Sequence, residues 1–295
     1  MRKPAFRVKN DTDLELVADP ELRAMYTLSP YVWQEESQYE LLVRAVPHAQ
    51  DPAQKVARIY HGRSADGVRF RMDDKPDIAP GPDPEDRDGC EDPSATRFQG
   101  ELCVFYTGWN QAQKTGRLML ASGPDPCSLR KRGVALDSTP SHLNPKEATI
   151  VQRSDGSWIL FFEYARHGRS RIGRAQADRL GGPWRVGSDP FEASPAGWDS
   201  WHLSPGPLLE HDGSRFMFYN GATKDAAWRI GWVLFDDSLS AVIDRGPDPI
   251  IVPPPPHGDE TDIAFAASAV IVLGETWLYY SIADKQMKRA VLRAA

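Results

Sequence analysis

The sequence of 295 residues has little cysteine and no excess of positive charge. Its three cysteines, Cys90, Cys103 and Cys127, are an odd number without CxxC spacing, so the sequence predicts neither a disulfide framework nor a zinc site. The 35 basic residues are outnumbered by 41 acidic residues, which gives a net charge of −6. This balance predicts that the protein binds neither a nucleic-acid backbone nor an anionic membrane.

Segments that direct a chain into a membrane are also missing from the sequence. The N-terminal residues MRKPAFRVKN contain no apolar signal core, and no window approaches 18 consecutive apolar residues. Together with a cysteine usage that fits a reducing compartment, these absences predict a cytoplasmic protein. The sequence gives no indication of an oligomeric state.

Helical periodicity is absent as well, and a repeat is present instead. No stretch of ten or more residues shows the 3.6-residue spacing of a crossover helix, which argues against an α/β barrel. A pattern of apolar run, polar or glycine turn and aromatic-rich strand occurs five times. Equivalent aromatic-strand positions are 63, 56, 57 and 61 residues apart, at Leu42, Phe105, Phe161, Phe218 and Tyr279.

Each repeat has the composition of a small antiparallel sheet. Paired runs rich in β-branched and aromatic residues are divided by turns such as Asp155-Gly156, and a third run such as GRLMLASG follows. Units of this length match the blades of a propeller. The sequence therefore predicts an all-β fold, a single five-bladed β-propeller over residues 1–295. A two-sheet sandwich is the alternative, but it explains neither the five copies nor their spacing.

The repeats also predict the extent of each blade and the way the ring closes. The blades are expected at about residues 25–75, 88–135, 143–190, 200–250 and 260–295. Because the last repeat stops after three strands, we expect the segment from Phe6 to Val17 to supply its missing outer strand.

Polar residues at one edge of each repeat are the candidates for chemistry. Inner strands of a propeller converge on one funnel, so these residues are expected to face a single pocket. The candidates are Glu91, Asp92, Lys146, Glu147, His202 and Asp262 at the repeat starts, with Arg44, Glu163, Tyr219 and Asp284 at hairpin ends. Paired carboxyl groups in a polar pocket are the machinery of glycoside cleavage.

Aromatic residues near these positions are suited to stacking against sugar rings. They are Trp33, Tyr106, Trp109, Trp201 and Tyr219. An Asp-Pro pair more often starts a turn, and strand aromatics more often belong to a core. The recurrence of acids at the same edge of successive repeats favours the functional interpretation. His202 has no suitably spaced second histidine, so we expect a hydrogen-bonding role, with neither metal nor cofactor.

The segment DGCEDPSATRF, followed by a strand ending in Tyr-Thr, resembles the glutamate-aspartate-proline motif of glycoside hydrolase family 130. That family contains β-mannoside phosphorylases and β-mannosidases built on a five-bladed propeller. LLVRA, KEATIVQRSDGSWILFF, FMFYNG and YYSIAD are similar to other family segments, so the resemblance extends over about residues 29–284. It implies that Asp92 is the catalytic acid, that Arg44 faces the sugar and that Asp284 binds the terminal sugar.

Departures from the family pattern bear on the reaction. Ser94, Glu163 with Tyr164, and Asn220 stand where the family commonly has basic residues or histidine. Phosphate requires a cluster of such donors, so their loss favours hydrolysis over phosphorolysis. The sequence therefore predicts an inverting glycoside hydrolase acting on short β-mannosides, with Glu147 or Glu163 as the base that activates water.

Three alternatives remain open at this point. A phosphorylase releasing mannose 1-phosphate would take inorganic phosphate as a second substrate, with Lys146 and Arg166 as its ligands. A family 43-like arabinofuranosidase or xylosidase would use Asp92 and Glu147 but lacks its first aspartate, which is Ser29 here. The third is a non-catalytic sugar-binding propeller. For the enzymes, we expect Glu91 and desolvation to raise the pKa of Asp92 towards neutrality.

Overall fold

The computed structural model describes residues 6–211, 213–258 and 260–294. Five sheets of four or five strands form the blades of a propeller, so the prediction of an all-β five-bladed propeller is confirmed. Over the described ranges, no helix is long and apolar enough to cross a membrane.

The strands follow the repeat order of the sequence. The chain starts with β1 (Phe6–Asp13), β2 (Glu15–Val17) and the one-turn helix α1 (Pro20–Arg23). The first sheet holds β3 (Met25–Glu35), β4 (Gln38–Pro47), β5 (Arg58–Ser64) and β6 (Arg69–Met72), with a 3₁₀ helix at Pro52–Gln54. The second holds β7 (Cys90–Phe98), β8 (Glu101–Asn110), β9 (Thr115–Gly123) and β10 (Arg130–Leu136), with a 3₁₀ helix at Pro126–Ser128.

The remaining three sheets complete the ring. The third holds β11 (Leu143–Gln152), β12 (Trp158–Arg166), β13 (Arg169–Ala177) and β14 (Arg185–Val186). The fourth holds β15 (His202–Ser204), β16 (Leu208–His211), β17 (Ser214–Ala222), β18 (Trp228–Phe235) and β19 (Val242–Arg245). The fifth holds β20 (Ala264–Val272), β21 (Glu275–Ile282) and β22 (Gln286–Ala294).

Apolar cores lie between neighbouring blades. The second strand of each repeat is apolar on both faces because each sheet packs against a sheet on either side. Phe105 and Leu160 share a core between the second and third blades, and Leu41 and Tyr279 share one between the first and fifth. Burying each such side chain contributes about 1.5–3 kcal/mol to stability. The packing therefore runs around the whole ring.

The N-terminal segment joins two blades. β1 pairs antiparallel with β22, from Phe6 opposite Ala294 to Asp13 opposite Lys288. β2 then pairs parallel with β6, where Glu15 lies opposite Arg69. The first residues of the described chain thus form the outer strand of the last blade and the outer strand of the first.

We expect Phe6→Ala to weaken the packing of β1 against the fourth blade. The Phe6 ring packs edge-on against Phe218 at 4.9 Å and Phe216 at 5.5 Å. Because the ring is partly buried, its loss should lower the free energy of unfolding by about 2 kcal/mol, near the low end for large-to-small core changes. Chemical denaturation measures this. Val8→Ala is the control, since Val8 on the same strand is 42% exposed. Equal losses of stability in the two variants would show that the packing of Phe6 against the fourth blade does not stabilise the fold.

Candidate active site

A cavity of about 720 Å³ opens where the inner strands converge. Residues predicted from the sequence line it from four of the five blades. They are Arg44, Asp92, Lys146, Glu147, Glu163 and Asp284. The cavity therefore brings together, in one solvent-accessible space, residues separated by up to 240 positions in the chain.

Three blades present a residue to the cavity through the same local distortion. Ser29, Asp92 and Glu147 have φ angles of 53°, 49° and 53°, in the left-handed region that side chains other than glycine rarely adopt. At each position the pairing register of the inner strand shifts by one residue, as in a β-bulge. A bulge redirects a side chain, and all three of these side chains line the cavity.

Asp92 is held as an anion by its neighbours. Its side chain is almost fully buried and accepts hydrogen bonds from Ser29 Oγ at 2.9 Å and from the Arg44 guanidinium at 3.1 Å. A second Arg44 nitrogen lies 3.1 Å from Glu91. Burial alone would raise the pKa of Asp92, but the charges of Arg44 and Lys146 and these hydrogen bonds hold it below its usual value. The expectation of a raised pKa for Asp92 is therefore wrong.

Glu147 has the opposite shift. Burial, reinforced by the negative charge of Asp92, raises the pKa of Glu147 well above that of an ordinary glutamate. Two interacting carboxyl groups titrate as a pair. Of the pair formed by Asp92 and Glu147, Glu147 is therefore the carboxyl group that holds a proton more readily.

A second charged pair lies beside the first. Lys146 Nζ is 3.3 Å from Glu163 Oε1, which also accepts a hydrogen bond from Ser170 Oγ at 2.7 Å. Glu163 raises the pKa of Lys146, so the ammonium group stays charged. The Lys146 side chain is 41% exposed, whereas Glu163 is buried. Glu163 Oε2 is buried without a hydrogen-bond partner among the described residues.

The cavity is also lined by the predicted acid Asp284 and by two aromatic residues that were not predicted from the sequence, Trp228 and Phe265. Asp284 lies in the left-handed turn between β21 and β22, and burial raises its pKa. Trp228 and Phe265, with ring centroids 5.3 Å apart, also line the cavity. Trp228 starts the third apolar run of the fourth repeat, WRIGWVLF, whereas the predicted polar site residues lie at repeat starts and at the ends of inner hairpins.

Two of the predicted sugar-stacking residues lie in the core, which corrects the expectation from sequence. Tyr106 and Tyr219 have no exposed surface. Tyr106 donates a hydrogen bond to Asp86 at 2.8 Å, and Tyr219 donates one to Asp199. Both hydroxyl groups join buried acids to the fold, so neither ring is available to a sugar.

Other predicted residues lie near the cavity without lining it. His202 accepts a hydrogen bond from the Ser170 N–H at 3.0 Å through Nδ1 and packs beside Trp228. Asp262 forms an ion pair with Arg229 at 2.8 Å. Glu91 reaches the cavity only through its contact with Arg44.

Of the remaining three aromatic candidates, Trp33 donates a hydrogen bond from its indole to Glu35 at 3.1 Å and does not line the cavity. The other two also face elsewhere. The Trp109 indole donates a hydrogen bond to Gln111 at 2.9 Å. Trp201 lines a separate pocket of about 350 Å³, where the Arg169 guanidinium covers its ring at 3.7 Å. Neither tryptophan shares the cavity of Asp92.

The geometry fits the requirements of glycoside cleavage. Carboxyl groups with opposed pKa shifts, facing a cavity with an aromatic rim, are typical of enzymes that protonate a glycosidic oxygen. The propeller brings these groups together from separate blades.

Comparisons with known proteins agree with this class. No family model matches the chain. The 1,2-β-oligomannan phosphorylase of Thermoanaerobacter sp. (strain X514) is 25% identical over 307 residues, which cover 98% of this chain and 95% of that protein. The β-1,2-mannobiose phosphorylase of Listeria innocua, solved with β-1,2-mannobiose, superposes with a TM-score of 0.78 at 18% identity, covering 97% of this chain and 91% of that one.

A third protein connects these relatives to the family suggested by the sequence. Its structure comes from work reporting that the family 130 mannoside phosphorylases include glycoside hydrolases that target β-1,2 mannosidic linkages in Candida mannan. It superposes with a TM-score of 0.77 at 20% identity, covering 90% of this chain and 84% of that one. The resemblance to glycoside hydrolase family 130 is confirmed.

Proposed function

We propose that the protein cleaves β-1,2-linked mannosides by phosphorolysis and releases mannose 1-phosphate. The observation that carries this proposal is that one cavity is lined by two carboxyl groups with opposed pKa shifts, Asp92 and Glu147, and by the charged ammonium group of Lys146. The pair supplies an acid, and the lysine supplies a cation for an anionic nucleophile. The relatives named above as phosphorylases align over nearly the whole chain, which supports phosphate as the second substrate. Hydrolysis, favoured by the sequence alone, becomes the second candidate.

The acid is assigned to the carboxyl pair rather than to one residue. When the glycosidic bond breaks, its electrons pass to the leaving oxygen, which takes a proton from the pair. Asp92, held by Arg44 and Ser29, and Glu147 are both positioned by strained bulges, so neither has to reorganise before the reaction. The resemblance to family 130 gives the direct contact with the substrate to Asp92.

The phosphate is assigned to Lys146. A phosphate oxygen attacks the anomeric carbon as the leaving oxygen departs, and the ammonium group offsets the dianion's charge. Arg44 is less available because both Glu91 and Asp92 already occupy its guanidinium. Phosphate bound at Lys146 would lie close to Glu163, which makes Glu163 the residue on which the choice of reaction depends.

Product analysis with and without phosphate tests this function. Purified protein is incubated with β-1,2-mannobiose and longer β-1,2-manno-oligosaccharides in phosphate-free buffer and in buffer containing inorganic phosphate. We expect mannose 1-phosphate to form only with phosphate. Equal release of free mannose in both buffers would show that the protein is a hydrolase and not a phosphorylase. If the substrate is unchanged in both buffers, the protein is a non-catalytic sugar-binding propeller.

Hydrolysis is the second candidate because of one specific observation. Glu163 carries a buried oxygen without a hydrogen-bond partner in the described ranges, at a position where the family pattern leads us to expect a basic residue. A carboxylate oxygen free to accept a proton suits a base that activates water. The same carboxylate would repel a phosphate dianion.

We expect Trp228→Ala to weaken substrate binding more than the chemical step. The Trp228 ring lines the cavity and is packed between Phe265 and the imidazole of His202, so it is held ready to stack on a sugar. Its removal should raise KM roughly tenfold, equivalent to about 1.4 kcal/mol, with little change in kcat. Trp201→Ala is the matched control, because Trp201 lines a different pocket. An equal rise in KM for both variants would remove Trp228 from substrate binding.

A further inference from the structure

A cluster of metal-ligating side chains lies outside the funnel cavity, on the first blade. His61 belongs to β5, and Asp73 and Asp77 follow β6. One potential ligand atom from each of these three residues lies within 4.8 Å of the other two. None of the three lines the funnel cavity. A function of this cluster is therefore separate from the proposed cleavage of mannosides.

Two further features of this cluster are a neighbouring thiol and an unpartnered carboxylate oxygen. Cys127 Sγ, from the 3₁₀ helix of the second blade, lies 3.9 Å from Asp73 Oδ2. Asp77 Oδ2 is buried and has no hydrogen-bond partner among the residues described. A buried carboxylate oxygen without a partner is costly unless something unassigned satisfies it. A cation between these residues would satisfy it.

The imidazole of His61 is held in the orientation that a ligand requires. It is fully buried, its Nδ1 lies 2.8 Å from Asp73 Oδ2, and its Nε2 contacts the Glu40 carboxylate. A carboxylate on the far nitrogen is the usual support of a metal-bound histidine, because it fixes the ring and its tautomer. Glu40 provides that support, which leaves Nδ1 directed at the aspartates.

We propose that His61, Asp73, Asp77 and Cys127 bind one zinc ion. A set of one nitrogen, two carboxylates and one thiolate is a donor combination that zinc accepts with four ligands. The ion would join the first blade to the second. Sequence spacing did not indicate this site, because its cysteine is single and lies 50 residues from the nearest aspartate of the cluster.

Cobalt and zinc titrations of the full-length protein test the proposal. After treatment with a chelator and dialysis, Co²⁺ should bind at one equivalent and produce the charge-transfer absorption of a cobalt thiolate. Saturating Zn²⁺ should raise Tm by roughly 5 °C, as expected for a ligand at about 100 times its Kd. Cys127→Ser should abolish the cobalt absorption, and Asp77→Asn should weaken zinc binding at least tenfold.

Asp74→Asn is the matched control, because Asp74 is exposed and adjacent to the cluster but is not part of it. It should bind both metals as the wild type does. The proposal is overturned if zinc leaves Tm unchanged and cobalt gives no thiolate absorption. In that case His61 is a hydrogen-bonded bridge between Asp73 and Glu40. It is also overturned if Cys127→Ser and Asp77→Asn bind both metals like the wild type.

Discussion

Asp92→Asn is expected to lower kcat on a β-1,2-mannoside by about 10²–10⁴-fold, the usual contribution of a general acid, without unfolding the protein. An amide oxygen still accepts the hydrogen bonds from Ser29 and Arg44, so the side chain should keep its place. It can neither take up a proton nor carry the negative charge that raises the pKa of Glu147, however. Steady-state kinetics with a substrate that has a poor leaving group, together with a thermal melt, measure both effects. Glu147→Gln should cause a loss of similar size.

The pH dependence provides a further test of the same pair. Under the proposed function the reaction takes its proton from this pair, in which the pKa of Glu147 is raised by burial and by the negative charge of Asp92. Activity is therefore present below that raised pKa and is lost as the pH rises through it. In Asp92→Asn one cause of the raised pKa is gone, so the residual activity should decline at lower pH. If Asp92→Asn keeps more than about a tenth of wild-type turnover, Asp92 is not part of the acid.

Glu163→Gln is expected to change the reaction in opposite directions under the two candidate functions. If the enzyme is a phosphorylase, removing the negative charge beside Lys146 should lower KM for phosphate roughly tenfold or more, since two like charges a few ångströms apart repel by several kcal/mol at an effective dielectric of about 20. If it is a hydrolase, loss of the base should reduce kcat by about 10²–10⁴-fold. Kinetics across a range of phosphate concentrations distinguish the two.

Ser170→Ala is the control for this substitution. It removes the 2.7 Å hydrogen bond to Glu163 but leaves the charge in place. We therefore expect it to change KM for phosphate much less than Glu163→Gln does. If Glu163→Gln leaves both the phosphate KM and kcat unchanged, Glu163 takes no part in selecting the nucleophile.

The fold could be predicted because each blade corresponds to one copy of a repeat in the sequence. Five copies of a hairpin pattern at a period near 60 residues admit few architectures other than a propeller. The common location of the polar residues at the repeat edges could then be predicted, because the inner strands of a propeller converge on one funnel. Asp92, Glu147 and Lys146 accordingly line one cavity.

Properties that depend on contacts across blades were not predictable from the pattern. The guanidinium of Arg44, 48 residues away in sequence, reverses the expected pKa shift of Asp92. Tyr106 and Tyr219 point into the core, because buried aspartates accept hydrogen bonds from their hydroxyl groups. The sequence of a strand does not show whether a tyrosine faces the core or a cavity, because it does not show which residue accepts the hydrogen bond from the hydroxyl group.

The pairing of β1 with β22 sets the order in which the molecule can be assembled. Asp13 lies opposite Lys288, so this contact cannot form until β22 has been synthesised, long after β1. A contact of such sequence separation carries a large loop-closure cost and slows folding. Until it forms, β1 is an unpaired edge and the fifth blade, which holds Asp284, lacks its outer strand. Synthesis of β22, rather than of any acid in the funnel, therefore determines when the newly made protein can first close its ring.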